Sequence, residues 1–219
     1  MSTFKGRKTD ALSKIFEVSF GMPDQPSPLM IVIGGPNGAG KTTAAMAVLP
    51  QALHLLEFLN ADEIAKGLSP LNPESVRIQS SRLLLERANM FIKNKTSFGF
   101  ESTLAAGTAP EKLIRQAKEQ GFVVVLLYFW LSSPQLAMAR VQQRVESGGH
   151  DIPESDVYRR YERSIWNITR LYLPLVDAWM VFDNSDEDPV LIAEGEQEDA
   201  MIRVYNESIW SQITQGADT

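Results

Sequence analysis

The sequence predicts an α/β fold, a parallel sheet with helices on both faces. Three observations carry that prediction. Short β-rich runs at 29 to 34, 55 to 60, 96 to 101, 122 to 130 and 179 to 183 alternate with longer amphipathic stretches, the pattern of strand–helix–strand crossovers. The run FVVVLLYFW, from Phe122 to Trp130, is apolar throughout, as a strand covered on both faces is. The first run leads directly into GGPNGAGKTT, Gly34 to Thr43, a glycine-rich loop of the kind that joins a strand to a phosphate-facing helix.

Within that loop Gly35, Gly40, Lys41 and Thr42 occupy the fixed positions of G-x-x-x-x-G-K-[ST]. Glycines let the backbone curl until successive amides point at phosphate oxygens, and the helix that follows adds the positive end of its dipole. Lys41 then reaches the β- and γ-phosphates, and the Thr42 hydroxyl holds magnesium. The expected nucleotide cradle is Gly35, Pro36, Asn37, Gly38, Ala39, Gly40, Lys41, Thr42 and Thr43, in a P-loop nucleoside triphosphate hydrolase/kinase fold. The helix that leaves it is expected to run from Lys41 to Val48 and to be closed by Pro50.

Bulk properties narrow the choices. A chain of 219 residues buries a full core without staples, and the absence of cysteine excludes a disulfide framework or a thiolate metal site. No apolar run approaches the ~20 residues of a membrane span. The start, MSTFKGRKTDALSK, lacks the apolar centre of a secretion signal, so a cytoplasmic location with no membrane partner is expected. A net charge of −6 argues against a general nucleic-acid binder, whose affinity comes from lysine and arginine excess. Residues 1–28 read as an N-terminal extension, in which Leu12, Ile15 and Phe16 at helical spacing give a short helix and FGMPDQPSP a proline-rich joint. Residues 29–219 then form the nucleotide-binding domain, with no internal repeat. The tail after Asp186 shows no chemical pattern.

The rivals that share the loop motif fail on other residues. A transport ATPase needs an LSGGQ-like signature and an apolar strand ending in a carboxylate, but Phe122–Trp130 is followed by Leu131-Ser132-Ser133. A GTPase needs N-K-x-D, whereas Asn94-Lys95 is followed by Thr-Ser-Phe. Small-molecule kinases place a base after the second strand and arginines on a mobile lid. Asp62, in LNADEIA, has the location of that base, with a helix N-cap as the alternative. Glu101, in FGFEST, is a second carboxylate at the same sheet edge. The lid candidate spans about 133–160: Ser133 and Pro134 start one helix, Gly148-Gly149 end it, and Ile152-Pro153-Glu154 start the next. Arg140 and Arg144 stand one turn apart ahead of the glycine hinge, where phosphate-contacting arginines belong. His150 either contacts phosphate or caps the hinge. In the second helix Val157, Tyr161, Ile165 and Ile168 point inward, while Arg159, Arg163 and Arg170 follow another face.

GPNGAGKTT, NADEIA, FGFESTL and RVESGGHDIPESDVYRRYERSIWN, in that order over about residues 29 to 185, resemble the zeta toxin-like P-loop kinases. The resemblance implies ATP and magnesium as cofactors, phosphorylation of the 3′-hydroxyl of the amino sugar in UDP-N-acetylglucosamine, and restraint by an antitoxin protein. It also implies Asp62 as base, Lys41 and Thr42 as phosphate and magnesium contacts, and Glu101 and Thr103 as sugar-side binders. Arg140, Arg144 and His150 become lid contacts, and Asn184, in Phe182-Asp183-Asn184-Ser185, belongs to the loop against adenine. The chain departs from the family at Ala65, where the toxins carry arginine or lysine, and at Ser102, where they carry glycine. A kinase for another nucleoside, sugar or antibiotic, and a nucleotide-binding switch module without transfer activity, are the alternatives.

Overall fold

The run LMIVIG forms β1 (Leu29–Gly34), buried in all but its first residue. The computed structural model describes residues 27–106, 108–146, 152–197 and 202–215. After β1 come α1 (Lys41–Ala52), β2 (Phe58–Leu59), α2 (Ala61–Leu68), a 3-10 turn (Pro73–Val76), α3 (Arg77–Lys93) and β3 (Phe98–Ser102). Then follow α4 (Thr108–Glu119), β4 (Val123–Trp130), α5 (Pro134–Glu146) and α6 (Glu154–Asn167), which a π-helical turn (Ile168–Tyr172) extends. The chain closes with β5 (Ala178–Asp183), β6 (Val190–Glu196), β7 (Ile202–Val204) and α7 (Glu207–Gln215).

The strands pair in the order β2-β3-β1-β4-β5-β6-β7, and the first five are mutually parallel. Because β3 lies on one side of β1 and β4 on the other, the strand order reverses at β1, and the carboxyl ends of these three strands form the crevice where such sheets bind ligands. The register aligns those ends. Gly34 stands opposite Ser102 and Tyr128, and Trp130 opposite Asp183.

The sheet is mostly rather than wholly parallel. β6 and β7, unread in the sequence, run antiparallel to their neighbours, because the short connection from β5 to β6 is too brief for a helical crossover. α7 covers this edge: Trp210 stacks on Trp179 with ring centroids 5.5 Å apart, and Ile213 is fully buried. The expected strand at 55 to 60 shrinks to Phe58–Leu59, and that at 96 to 101 shifts to Phe98–Ser102. α1 runs through Pro50 to Ala52 instead of stopping before it. The proline ring forfeits one bond to the Met46 carbonyl, and the helix ends within the next turn, where Leu55 N donates to the Leu49 carbonyl at 2.9 Å.

α5 and α6 follow the expected pattern. Ser133 Oγ accepts from Leu136 N at 3.1 Å at the start of α5, and Val157, Tyr161, Ile165 and Ile168 are buried. Two tyrosines peg α6 to the end of β4. Tyr161 Oη donates to the Leu131 carbonyl at 2.7 Å, and Tyr128 Oη shares a buried hydrogen bond with Ser164 Oγ at 2.9 Å. Burial, with the Asp183 charge adding, pushes the Tyr161 hydroxyl up to about 12, and burial carries that of Tyr128 higher still. Both therefore stay neutral. The short N-terminal helix, the Gly148-Gly149 hinge and His150 lie outside the described residues. Among the described residues no helix is long and apolar enough to cross a membrane.

Candidate active site

Three glycines give the loop after β1 its shape. Gly35, Gly38 and Gly40 have φ of +140°, +77° and +73°, which side chains disfavour. Space is equally restrictive. A Cβ would lie 2.3 Å from the Phe129 carbonyl oxygen at Gly35, 2.7 Å from the Ala137 carbonyl oxygen at Gly38, and 2.7 Å from Asn184 Nδ2 at Gly40. The loop is thus seated on β4, α5 and the segment after β5 at once. Gly40 begins α1 in a left-handed conformation with no side chain bonded to the first-turn amides, the arrangement of a helix end that receives anions.

Not every residue of the expected cradle faces the cleft. Asn37, Gly38, Gly40, Lys41, Thr42 and Thr43 line it, whereas Gly35, Pro36, Ala39 and Asn184 are not among its lining residues. Asn184 holds the loop from below, its Nδ2 donating to the Ala39 carbonyl at 2.8 Å. The side-chain oxygens of Asn37 and Asn184 are buried without a hydrogen-bond partner among the described residues.

Lys41 is 6% exposed. Its Nζ donates to the Pro36 carbonyl at 2.9 Å and lies 3.6 Å from Glu101 Oε1. Burial lowers its pKa below the usual 10.5, a shift that the Glu101 and Asp62 carboxylates oppose and the Arg144 charge reinforces. Thr42 Oγ1 donates to Glu101 Oε2 at 2.6 Å, and Asn60 Nδ2 donates to the same oxygen at 2.9 Å. Glu101 is therefore tied to the two residues expected at phosphate and metal. Glu101, expected at this sheet edge from FGFEST, stands near the end of β3, the neighbour of β1 on the side away from β4.

Asn60 was missed. Its Oδ1 accepts from Asp62 N at 2.8 Å and from Glu63 N at 3.4 Å as the N-cap of α2. The pattern Asn60-Ala61-Asp62-Glu63 behind a strand carried the signal, a cap followed by first-turn acids. Asp62 is relieved of the capping role and lines the cleft.

The cleft has a volume of about 1050 Å³, and nine of the side chains lining it are cationic against four carboxylates, in a chain of net charge −6. Such a concentration of positive charge favours a polyanion. Arg140 lines the cleft, but its guanidinium is engaged: it donates to the carbonyls of Asn184 and Ser185 at 2.7 Å each and of Asp186 at 3.3 Å. Arg144 lies on the cleft wall within Coulombic reach of Lys41. Arg159 and Arg160 pair with Asp156 at 2.6 and 3.3 Å. Arg77 and Arg82, on α3, join the wall unannounced by any motif. Thr103 lines the cleft, its Oγ1 accepting from Ala105 N at 3.5 Å.

The family model of the AAA domain matches residues 30–163. An uncharacterised protein of Haemophilus influenzae strain Rd is 34% identical over 127 residues, 58% of this chain and 88% of the relative. The crystal structure of AvrRxo1-ORF1:AvrRxo1-ORF2 with sulphate ions is similar at a TM-score of 0.71 and 19% identity, over 96% of this chain and 69% of that one. The same complex with ATP matches at 0.67 and 20%, over 96% and 68%. The PezAT chromosomal toxin–antitoxin system of Streptococcus pneumoniae matches at 0.63 and 14%, over 95% and 87%. At these identities the likeness to solved structures is one of fold.

Proposed function

The chain belongs to the AAA-domain family whose model spans residues 30–163, and from that premise we propose that it is an ATP-dependent phosphotransferase acting on a hydroxyl of a small metabolite. One observation carries the proposal: a buried lysine, a hydroxyl–carboxylate pair and a cleft-facing aspartate meet at one cationic crevice. In this reading the amides at the start of α1 and the Lys41 ammonium hold the β- and γ-phosphates, and Arg144 neutralises the moving phosphoryl group. The acceptor oxygen attacks the γ-phosphorus, the bond to the β–γ bridging oxygen breaks, ADP leaves, and the acceptor's proton passes to Asp62. The hydroxyl and carboxylate oxygens of Thr42 and Glu101 suit magnesium, with Asn60 orienting the carboxylate. Bound there with the nucleotide, magnesium would supply charge neutralisation at the phosphates. The segment 133–160 acts as the lid.

The acceptor we propose is a UDP-activated amino sugar, UDP-N-acetylglucosamine in the first instance. The order of motifs along the chain supports it, as do the volume and positive charge of the cleft. The fold shared with the PezAT toxin–antitoxin system supports an antitoxin chain as partner. Incubation with γ-labelled ATP and a panel of nucleotide sugars, nucleosides, sugars and aminoglycosides tests the reading. Label in a nucleotide sugar is expected. Label in another acceptor moves the substrate, and nucleotide binding without any transfer leaves only a switch module.

A further inference from the structure

The segment after β3 has a conformation that its own sequence does not favour. Leu104 has φ of +56°, a left-handed backbone that is strained for a non-glycine residue and persists only where surroundings impose it. The side chain is fully buried, in the space left by Gly34, where a Cβ would lie 2.6 Å from Leu104 Cδ1. On either side of it Thr103, Ala105 and Ala106 line the cleft.

Two side chains from a single element hold this backbone. Asn167 Nδ2 donates to the Leu104 carbonyl at 2.7 Å, buried, and Tyr172 Oη donates to the Ala106 carbonyl at 3.0 Å. Asn167 ends α6 and Tyr172 ends the π-helical turn, a widened turn that recurs near functional sites because it redirects side chains. Arg160, Arg163 and Asn167 follow one another at i, i+3 and i+7 on α6, so they share a stripe of its surface, and both arginines line the cleft. α6 is also fixed to β4 and the residue after it through Ser164 and Tyr161.

We propose that Asn167 and Tyr172 are positioning residues for the acceptor, fixing the 103–106 backbone so that Thr103 meets the acceptor in register with the arginines carried by α6. This rests on the kinase reading given above, with the acceptor on the β3 side of the cleft. Among the described residues the hydrogen bonds of both side chains go to the 104–106 backbone and not to the nucleotide cradle, so the effect is expected on one substrate alone.

The test uses the full chain with Asn167→Ala, Tyr172→Phe and the double variant. With ATP and UDP-N-acetylglucosamine, the expected result is a KM for the sugar nucleotide raised on the order of tenfold in Asn167→Ala, less in Tyr172→Phe, with the KM for ATP within about twofold of the parent. A proportional rise in both KM values, or no change in either, overturns the proposal. Hydrogen exchange, which needs no acceptor, is read alongside. Faster exchange of the 103–106 amides with amides 38–43 unchanged supports it, and unchanged exchange at 103–106 overturns it. If the parent protein transfers phosphate to no acceptor, the kinase reading falls separately, while exchange still decides whether Asn167 and Tyr172 hold the loop.

Discussion

Asp62 stands in the first turn of α2, which Asn60 caps, so its carboxylate is not needed as the cap of that helix. Asp62→Asn should therefore melt like the parent and bind ATP equally well, yet lose ~10²-fold or more in kcat, because asparagine cannot take the acceptor's proton. Unchanged turnover would remove the base assignment. Lys41 yields a prediction about protons. Burial lowers its pKa in the free protein, and a polyphosphate laid against the ammonium raises it again. Nucleotide binding at a pH between the lowered value of the free protein and the raised value of the complex should thus take up protons, and affinity should fall as pH rises through the lowered value. Calorimetry in two buffers of different ionisation enthalpy reads the uptake. The buffer dependence should vanish in Lys41→Ala, whose transfer activity should be lost as well.

On α5 two arginines one turn apart should behave differently. Arg140 binds three successive carbonyls after β5, so Arg140→Ala should loosen that segment and raise the KM for ATP on the order of tenfold with a smaller loss in kcat. Arg144→Ala should do the reverse, lowering kcat by something on the order of tenfold to a thousandfold with ATP affinity little changed. Steady-state kinetics on both variants separates the roles, and equal signatures would refute the division. The sequence displayed both arginines at helical spacing, but not the difference between them. Arg140 takes its role from a segment 44 residues further along the chain, and no periodicity reports such a partner. The same limit hid the attachment of Glu101 to Thr42, 59 residues away. By contrast the cap at Asn60, the inward face of α6 and the glycine loop are local in origin, and each was open to reading from neighbouring residues.

Across the whole molecule, hydrophobic alternation revealed the five parallel strands, because a strand buried on both faces has to be apolar along its length. It did not reveal β6 and β7, whose edge position lets polar residues such as Glu194 and Arg203 pair within the sheet and breaks the pattern. Among the described residues none from that edge lines the cleft, so Ile213→Ala should cost about 2–5 kcal/mol in unfolding free energy while leaving both KM values unchanged. Denaturant melts and kinetics on the same preparation check it. The bond from Asn184 to Ala39 spans 145 positions, and it gives the chain a history as well as a shape. During synthesis the glycine loop leaves the ribosome early, without the support that seats it. A nascent chain arrested anywhere before Asn184 has cleared the exit tunnel should retain no nucleotide. Binding competence should then arrive in one late step, when the fifth strand and its trailing segment slide under a loop made long before.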